Sequence, residues 1–392
     1  MKKLITFLSI FTTVAILALP VAARNSIAQP DNAIQDPCSV EGKDALYQSF
    51  LKNRPNDQAK AFEDAKKYLA CPAGEVTEAQ QKIIDYLKKW TTAYEEGSKK
   101  IRFRTLLYNE NKYPEAYALG KELLTAEPEN LKVLVDLGAN GYLVAPLKNP
   151  ALNTEALDYA KRALQMLESG KTIDDWQPLA SKDVAVAYLN YTIGALTLES
   201  DPGTALKNLL KAAQFETPLK KSPFTYAYIA GAYETGPYAK QSEQYKTMYS
   251  GKDETPESKL ALANINQLVD RMIDGYARAV ALAGSDPKFA AQKPVWNESL
   301  IQWYKYRNNN TDTGLTELIA GVLAKPLPPE PTPLTSLPAA APAASPTSTS
   351  GSGNGADAAP AGTAAPGAKP ATTTAPAKPN NGTKPDRPRN RR

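Results

Sequence analysis

The chain has 392 residues, 46 Lys and Arg against 41 Asp and Glu, a formal net charge of +5, two cysteines and no histidine. Without an imidazole, Ser-His-Asp and Cys-His nucleophile systems are excluded, as is histidine general acid–base work, and the commonest transition-metal ligand is missing. The positive charge does not argue for nucleic acid: residues 1–28 contribute +3 and the stretch from Pro326 contributes +4, which leaves residues 29–325 at −2.

Residues 1–23 have the layout of a secretory signal peptide, with Lys2 and Lys3, a sixteen-residue apolar run from Leu4 to Leu19, the helix-breaking Pro20 and then small residues. Cleavage fits before Arg24, with Val21 and Ala23 in the small-residue positions, or before Gln29, with Ser26 and Ala28 there. The alternative is an uncleaved anchor; a spanning helix needs about 20 apolar residues, and this run holds three threonines and a serine. No cysteine follows it at lipid-anchoring distance. An exported protein, periplasmic or extracellular, is therefore expected. Cys38 and Cys71 agree with that, because an even number of cysteines in an oxidising compartment points to a disulfide; two reduced buried thiols are the alternative. Zinc would lack its usual ligands here.

After a short extension over 24–42, apolar residues recur three and four apart from 43 to 325, with Pro, Gly, Asn or Asp at the breaks, and no stretch alternates as a strand would. Leu46, Phe50 and Leu51 share one face, and Ala61, Phe62, Ala65, Tyr68 and Leu69 share another, ending at Pro72. Ile83, Ile84, Leu87, Trp90, Tyr94, Ile101, Leu106 and Leu107 fit one long helix or two helices broken near Gly97. In NKYPEAYALGKELLTAEPEN, Tyr113, Ala116, Tyr117, Gly120, Leu123 and Leu124 line one side, small residues mark a close approach, and Pro128 closes the helix. A second amphipathic helix, LKVLVDLGANGYL, follows at once.

Helix, small packing residue, proline and helix again is the grammar of stacked hairpins. It resembles the tetratricopeptide repeat (TPR) family, whose unit is a pair of antiparallel helices. The matches are Tyr113, Ala116 and Pro128, with Gly120 and Leu123 as departures, then Leu134, Leu137 and Gly138, and then Ala156, Ala160 and Ala163. Looser units supply Ala205, Leu209, Ala212 and Pro218, then Tyr226, Ile229, Ala230 and Tyr233, and finally Tyr276, Ala279 and Pro287. The marker alanines Ala116, Ala156 and Ala205 are 40 and 49 residues apart, against a family period of about 34, so the repeats are degenerate over roughly 43–290. The resemblance implies an all-α solenoid of helical hairpins, and a groove lined from the first helix of each unit. That would bring Tyr108, Tyr142 and Asn190 into the groove, with Arg102 and Arg104 at its edge.

From Pro326 to Arg392 the chain is rich in Pro, Ala, Thr and Ser, without an aromatic residue, and buries too little apolar surface to order itself; a disordered basic tail is expected. Its end, NNGTKPDRPRNRR, suits an anionic envelope polymer or serves as a solubilising spacer. GSGNG at 351–355 lies in this tail with no strand before it or helix after it, so it does not read as a phosphate loop. The carboxylate pairs Glu95–Glu96 and Asp174–Asp175 would diverge on a helix and read as solvated surface. Tyr188, Tyr191, Tyr226, Tyr228, Tyr233, Tyr238, Tyr245 and Tyr249 read as helix seams or as a ligand surface. Trp296 and Trp303, seven apart, cap the last core. Asn190, Asn297, Asn309 and Asn381 head Asn-x-Ser/Thr triplets.

No cofactor, metal or catalytic residue is expected. The leading expectation is an exported, non-enzymatic scaffold binding a protein or peptide. The alternative is a helical-repeat module for a glycan or small ligand, and an enzyme using only carboxylates or lysines is a third class.

Overall fold

The computed structural model describes residues 36–72 and 76–337, all helix, turn or coil with no strand among them. The expected signal peptide and the tail beyond residue 337 lie outside the described residues. Two compact units divide the chain, the first ending at Ser98 and the second starting at Lys99, where the periodicity gave one domain over 43–325. The reason is local: the first unit closes its apolar set on itself.

In that unit α1 (Val40–Asn53) begins where the Ser39 side chain accepts from the Gly42 N–H, and α2 (Gln58–Ala70) where Asp57 accepts from the Lys60 N–H. They pair with each other, and with the first turns of α3 (Glu78–Arg104) they enclose Phe50, Ala61, Ala65, Tyr68 and Leu87. Trp90 meets Phe50 edge-on at 5.0 Å. Cys38 and Cys71 form a disulfide, Cα atoms 5.2 Å apart, that ties the approach to α1 to the end of α2. Asp64, 2% exposed, accepts from Ser49 Oγ at 2.6 Å and Lys60 Nζ at 2.8 Å. Burial alone would raise the Asp64 pKa, but these donors win and hold it below the usual carboxylate value. Of the two alternatives for α3, one continuous helix is the observed form; nothing lies within 4 Å of a side chain built at Gly97, so no packing demand breaks it there.

The second unit takes over the last turn of α3, which ends in a π turn at Thr105–Asn109. There follow α4 (Tyr113–Ala126), α5 (Leu131–Ala139), α6 (Pro150–Glu168), α7 (Lys182–Thr197), α8 (Pro202–Gln214) and α9 (Pro223–Tyr233). A second π turn, Glu234–Tyr238, leads into α10 (Ala239–Tyr249), then α11 (Pro256–Ala283), α12 (Lys293–Arg307) and α13 (Leu315–Gly321). From α4 to α9 each helix packs on the next, α5 also touches α7, and α7 also touches α9. Each π turn supplies one partner of a tyrosine–carboxylate bond: Tyr108 donates to Asp136 at 2.9 Å, and Glu234 accepts from Tyr276 at 2.7 Å.

The centre of this unit is α7, which is apolar on nearly every side. Ala185, Leu189 and Ile193 belong to the core built with α4, α5 and α6. Ala187 and Tyr191, about half a turn away, belong to the core built with α8, α9, α11 and α12. A helix buried on two faces needs small residues where its neighbours cross. A side-chain carbon at Gly194 would meet Leu209 Cγ at 2.5 Å, and one at Gly138 of α5 would meet the Ala160 Cα of α6 at 2.7 Å. The marker residues Ala116, Ala156 and Ala205 are all fully buried. Trp296 and Trp303 are core residues, meeting Phe224 and Tyr238 edge-on at 5.2 and 4.8 Å.

Residues 326–337, which composition assigns to the tail, are extended along α11. Arg278 Nη2 donates to the Lys325 and Pro326 carbonyls at 3.0 and 2.8 Å, Arg271 Nε donates to Pro329 O at 2.7 Å, and Asn264 exchanges two bonds with the Leu334 backbone. Asn264, Arg271 and Arg278 recur every seven residues and so share one face of α11. A proline-rich backbone leaves its carbonyls free for such donors. Composition alone cannot reveal that a distant helix carries them.

Two outcomes test this packing. Replacing Cys71 by Ser should lower the stability of the first unit by roughly 2–4 kcal/mol, since the cross-link closes a loop worth about 4 kcal/mol in the chain-entropy account; denaturant unfolding checks it. Gly138→Ala should cost about 1–3 kcal/mol by overpacking, whereas Gly231→Ala in α9, with nothing within 4 Å, should be neutral or stabilise by about 0.5–1 kcal/mol. Thermal melts of the two variants compared side by side decide the point.

Candidate functional site

The tyrosines expected either in seams or on a ligand surface divide between both fates. Tyr226, Tyr233 and Tyr238 are core, and Tyr245 and Tyr249 form a pair on α10, ring centroids 5.3 Å apart. Tyr188 and Tyr191 instead join Tyr142 and Tyr228 around a cavity of about 200 Å³. Helix geometry explains the convergence. Tyr188 and Tyr191 stand three apart on α7, and Phe224 and Tyr228 four apart on α9, so each pair shares a face.

Tyr142 comes from a 3₁₀ turn, Gly141–Leu143, seated directly on α7. Its backbone N–H donates to Thr192 Oγ1 at 3.2 Å. Only glycine at 141 permits this seat, because a side-chain carbon there would meet Thr192 Cγ2 at 2.6 Å and Ala156 Cβ at 3.0 Å. The rings then run in series. Tyr188 lies 6.0 Å from Tyr142, Tyr142 meets Tyr191 edge-on at 5.2 Å, Tyr191 stacks on Tyr228 at 6.1 Å, and Tyr228 adjoins Phe224 at 5.9 Å. Packing of Phe224 on buried Trp296 roots the wall in the core.

Two properties set this cavity apart. Its lining contains no charged residue; beyond the rings it is Ala145, Pro146, Ala195, Pro218, Leu219 and Ser222. Secondly, Tyr191 at its back is only 4% exposed, whereas Tyr142, Tyr188 and Tyr228 are half-buried. Burial pushes the Tyr191 phenol far above its ordinary pKa, and the nearby Tyr228, Tyr142 and Tyr188 push it further in the same direction. Burial also pushes Tyr228 up to about 12. The four phenols are thus neutral donors over the physiological range.

A larger, open cleft of about 710 Å³ lies between the end of α3, α5 and the loop after α6. Its cations are already engaged. Lys100 pairs with Glu127 at 2.9 Å, Lys132 with Asp136 at 2.8 Å and Lys171 with Glu129 at 2.7 Å. Arg104 and Lys132 both donate to the Gln177 carbonyl at 2.6 Å, which holds the loop across the cleft. Burial raises the Asp136 pKa against the opposing pull of Lys132 and the Tyr108 hydroxyl. Every cation of the cleft is thus paired within it, and the arrangement fixes the loop.

The five expected groove residues therefore do not form one groove. Arg104 lines the charged cleft and Tyr108 bonds to Asp136 beside it. Arg102 pairs with Glu110 on the surface, and Tyr142 belongs to the aromatic cavity. Asn190 is fully buried and donates to its own helix at Val186 O, 2.7 Å. One position along a helix is about 100°, and that step separates Asn190 in the core from Tyr191 at the cavity. It also removes Asn190 as a glycosylation acceptor in the folded chain. Asp174 and Asp175 lie in the loop after α6 and not on a helix, and Asp175 reaches Arg104 at 3.8 Å. Phe224 was not singled out by sequence, though its four-residue spacing to Tyr228 was a usable signal. Among the described residues no group of His, Cys, Asp or Glu could hold a metal ion, and no helix is long and apolar enough to cross a membrane.

The raised tyrosines fix the sign of an alkaline effect. The folded state holds Tyr228 protonated to about pH 12, against about 10 in an unfolded chain. Its contribution to stability is therefore complete below about pH 10 and is lost as the pH rises through about 12. Ultraviolet titration should show the cavity set ionising only well above pH 10, together with unfolding; ionisation of that set near pH 10 in the folded state would contradict the burial. Compared with known proteins, the chain matches no family model, no curated protein and no solved structure.

Proposed function

We propose that this chain is an exported, non-enzymatic, TPR-like scaffold that acts by binding a protein or peptide in the cell envelope, and that the aromatic cavity between α7 and α9 is where the partner is anchored. The observation that carries the reading is a row of rigid aromatic rings with no charged residue among the lining, rooted on a helix buried on both faces. Rigid Tyr side chains offer large contact area at small entropic cost, and such anchors dominate the energetics of interfaces. A solenoid reading is supported by the packing order, in which alternate helices α5, α7 and α9 touch as the first helices of successive hairpins would. Export is supported by the layout of residues 1–23 and by the Cys38–Cys71 disulfide.

A second reading, a module for a glycan or other small ligand, draws on the same cavity, whose volume suits a single ring. A thermal-shift screen against envelope oligosaccharides tests it, and a flat response would retire it.

The leading reading is tested by photocrosslinking. Full-length protein carrying benzoylphenylalanine in place of Tyr188 should capture a partner from envelope extracts, and the same group in place of the exposed Lys89 of α3 should not. Equal capture at both positions, or none at 188, would sink the assignment of the cavity as the anchor.

A further inference from the structure

The face of α11 that carries Asn264, Arg271 and Arg278 is built to hold an extended backbone, and it holds one. Every hydrogen bond it makes to PLPPEPTPL, residues 326–334, goes to main-chain atoms: Arg278 to Pro326 O, Arg271 to Pro329 O, and Asn264 to both the C=O and the N–H of Leu334. Pro326, Pro329, Glu330, Thr332 and Pro333 are exposed, and Leu327 is the contact with the apolar core. The ladder thus reads the course of the backbone, with little call on side-chain identity.

Spacing shows where the segment fits and where it does not. Seven residues of helix advance roughly 10.5 Å, and one three-residue turn of a proline-rich backbone advances roughly 9.3 Å. Pro326 and Pro329 therefore meet Arg278 and Arg271 in step. The next seven residues of α11 are spanned by five, from Pro329 to Leu334, so slack falls at Glu330 and Pro331. Here the packing opens: a cavity of about 470 Å³ lies between Glu330, Pro331 and the wall made by Leu206, Tyr233, Pro237 and Leu268. Tyr233 is 2% exposed, yet its hydroxyl has no hydrogen-bond partner among the described residues. Burial, and after it the charge of Glu330, push that phenol above its ordinary pKa, which places the hydroxyl near the segment.

We infer that this face of α11 is a docking surface for an extended, proline-rich segment of a partner protein, and that residues 326–334 are a resident occupant which such a segment displaces. The resident fills the ladder at Arg278 and Arg271 and leaves the Tyr233 end underpacked; an incoming segment in step along the whole ladder closes that end. Tethering gives the resident an effective concentration of about millimolar, so the surface opens only to a partner at high local concentration. This surface is separate from the aromatic cavity and does not rest on it.

The test uses full-length protein, wild type and a form in which residues 326–334 are replaced by alternating Gly and Ser, titrated calorimetrically with three nine-residue peptides: PLPPEPTPL, polyproline and an Ala-Ser repeat. The replaced form should bind the first two and not the third, and Arg271→Ala in that form should weaken both about tenfold. Wild type should bind polyproline at least tenfold more weakly than the replaced form. Hydrogen exchange at Leu334 of wild type, whose N–H donates to Asn264, should rise when polyproline is added; circular dichroism confirms that each form is folded. Binding of PLPPEPTPL alone, or of neither proline peptide, would overturn the inference. So would equal binding of the Ala-Ser repeat, or unchanged exchange at Leu334 under excess polyproline, because the segment is then a fixed part of the fold. Crosslinking from position 188 is read separately, so either result leaves the aromatic cavity to its own test.

Discussion

The second unit depends on the burial of α7 from two sides. Hydrophobic burial on one stripe is the ordinary condition of a surface helix, and it leaves the other stripe free for polar residues. With two cores to serve, α7 carries Ala185, Leu189 and Ile193 toward one and Ala187 and Tyr191 toward the other. Dense packing on both sides leaves no room for a side chain at Gly194 facing Leu209 or at Gly138 facing Ala160. The site follows from that constraint. A rigid central helix holds Tyr188 and Tyr191 in fixed orientation, and the turn carrying Tyr142 is pinned onto it through Thr192.

Polar groups in this fold are mostly used for holding. Arg278, 4% exposed, binds Asp274 at 2.7 Å and two carbonyls of the extended C-terminal segment. Lys132 and Arg104 hold a loop by the same carbonyl. Cations that donate to backbone carbonyls in this way keep segments in place. The aromatic cavity differs in having no charged residue in its lining, and this difference is what singles it out from the larger charged cleft.

Much of the fold was legible in the sequence. Three- and four-residue periodicity gives helices, and alanines and glycines in the middle of apolar faces mark close crossings, as the buried Ala116, Ala156 and Ala205 bear out. The division into two units was not legible, because periodicity does not say which apolar faces close on which. Nor was the seating of residues 326–337, which depends on donors spaced along a helix 47 to 70 residues upstream. The site was half legible: Tyr142, Tyr188, Tyr191 and Tyr228 could all be named, but nothing in the chain order joins a 3₁₀ turn to two helices. Placing Asn190 in a groove failed by one residue of helical register, which is enough to turn a side chain from cavity to core.

Hydrogen–deuterium exchange with and without the captured partner tests the central claim most directly. The account predicts added protection over residues 141–147, 188–195 and 218–228, the three segments that wall the cavity, and none over the loop at 171–180. Protection confined to that loop and the charged cleft, with the cavity segments unchanged, would contradict it.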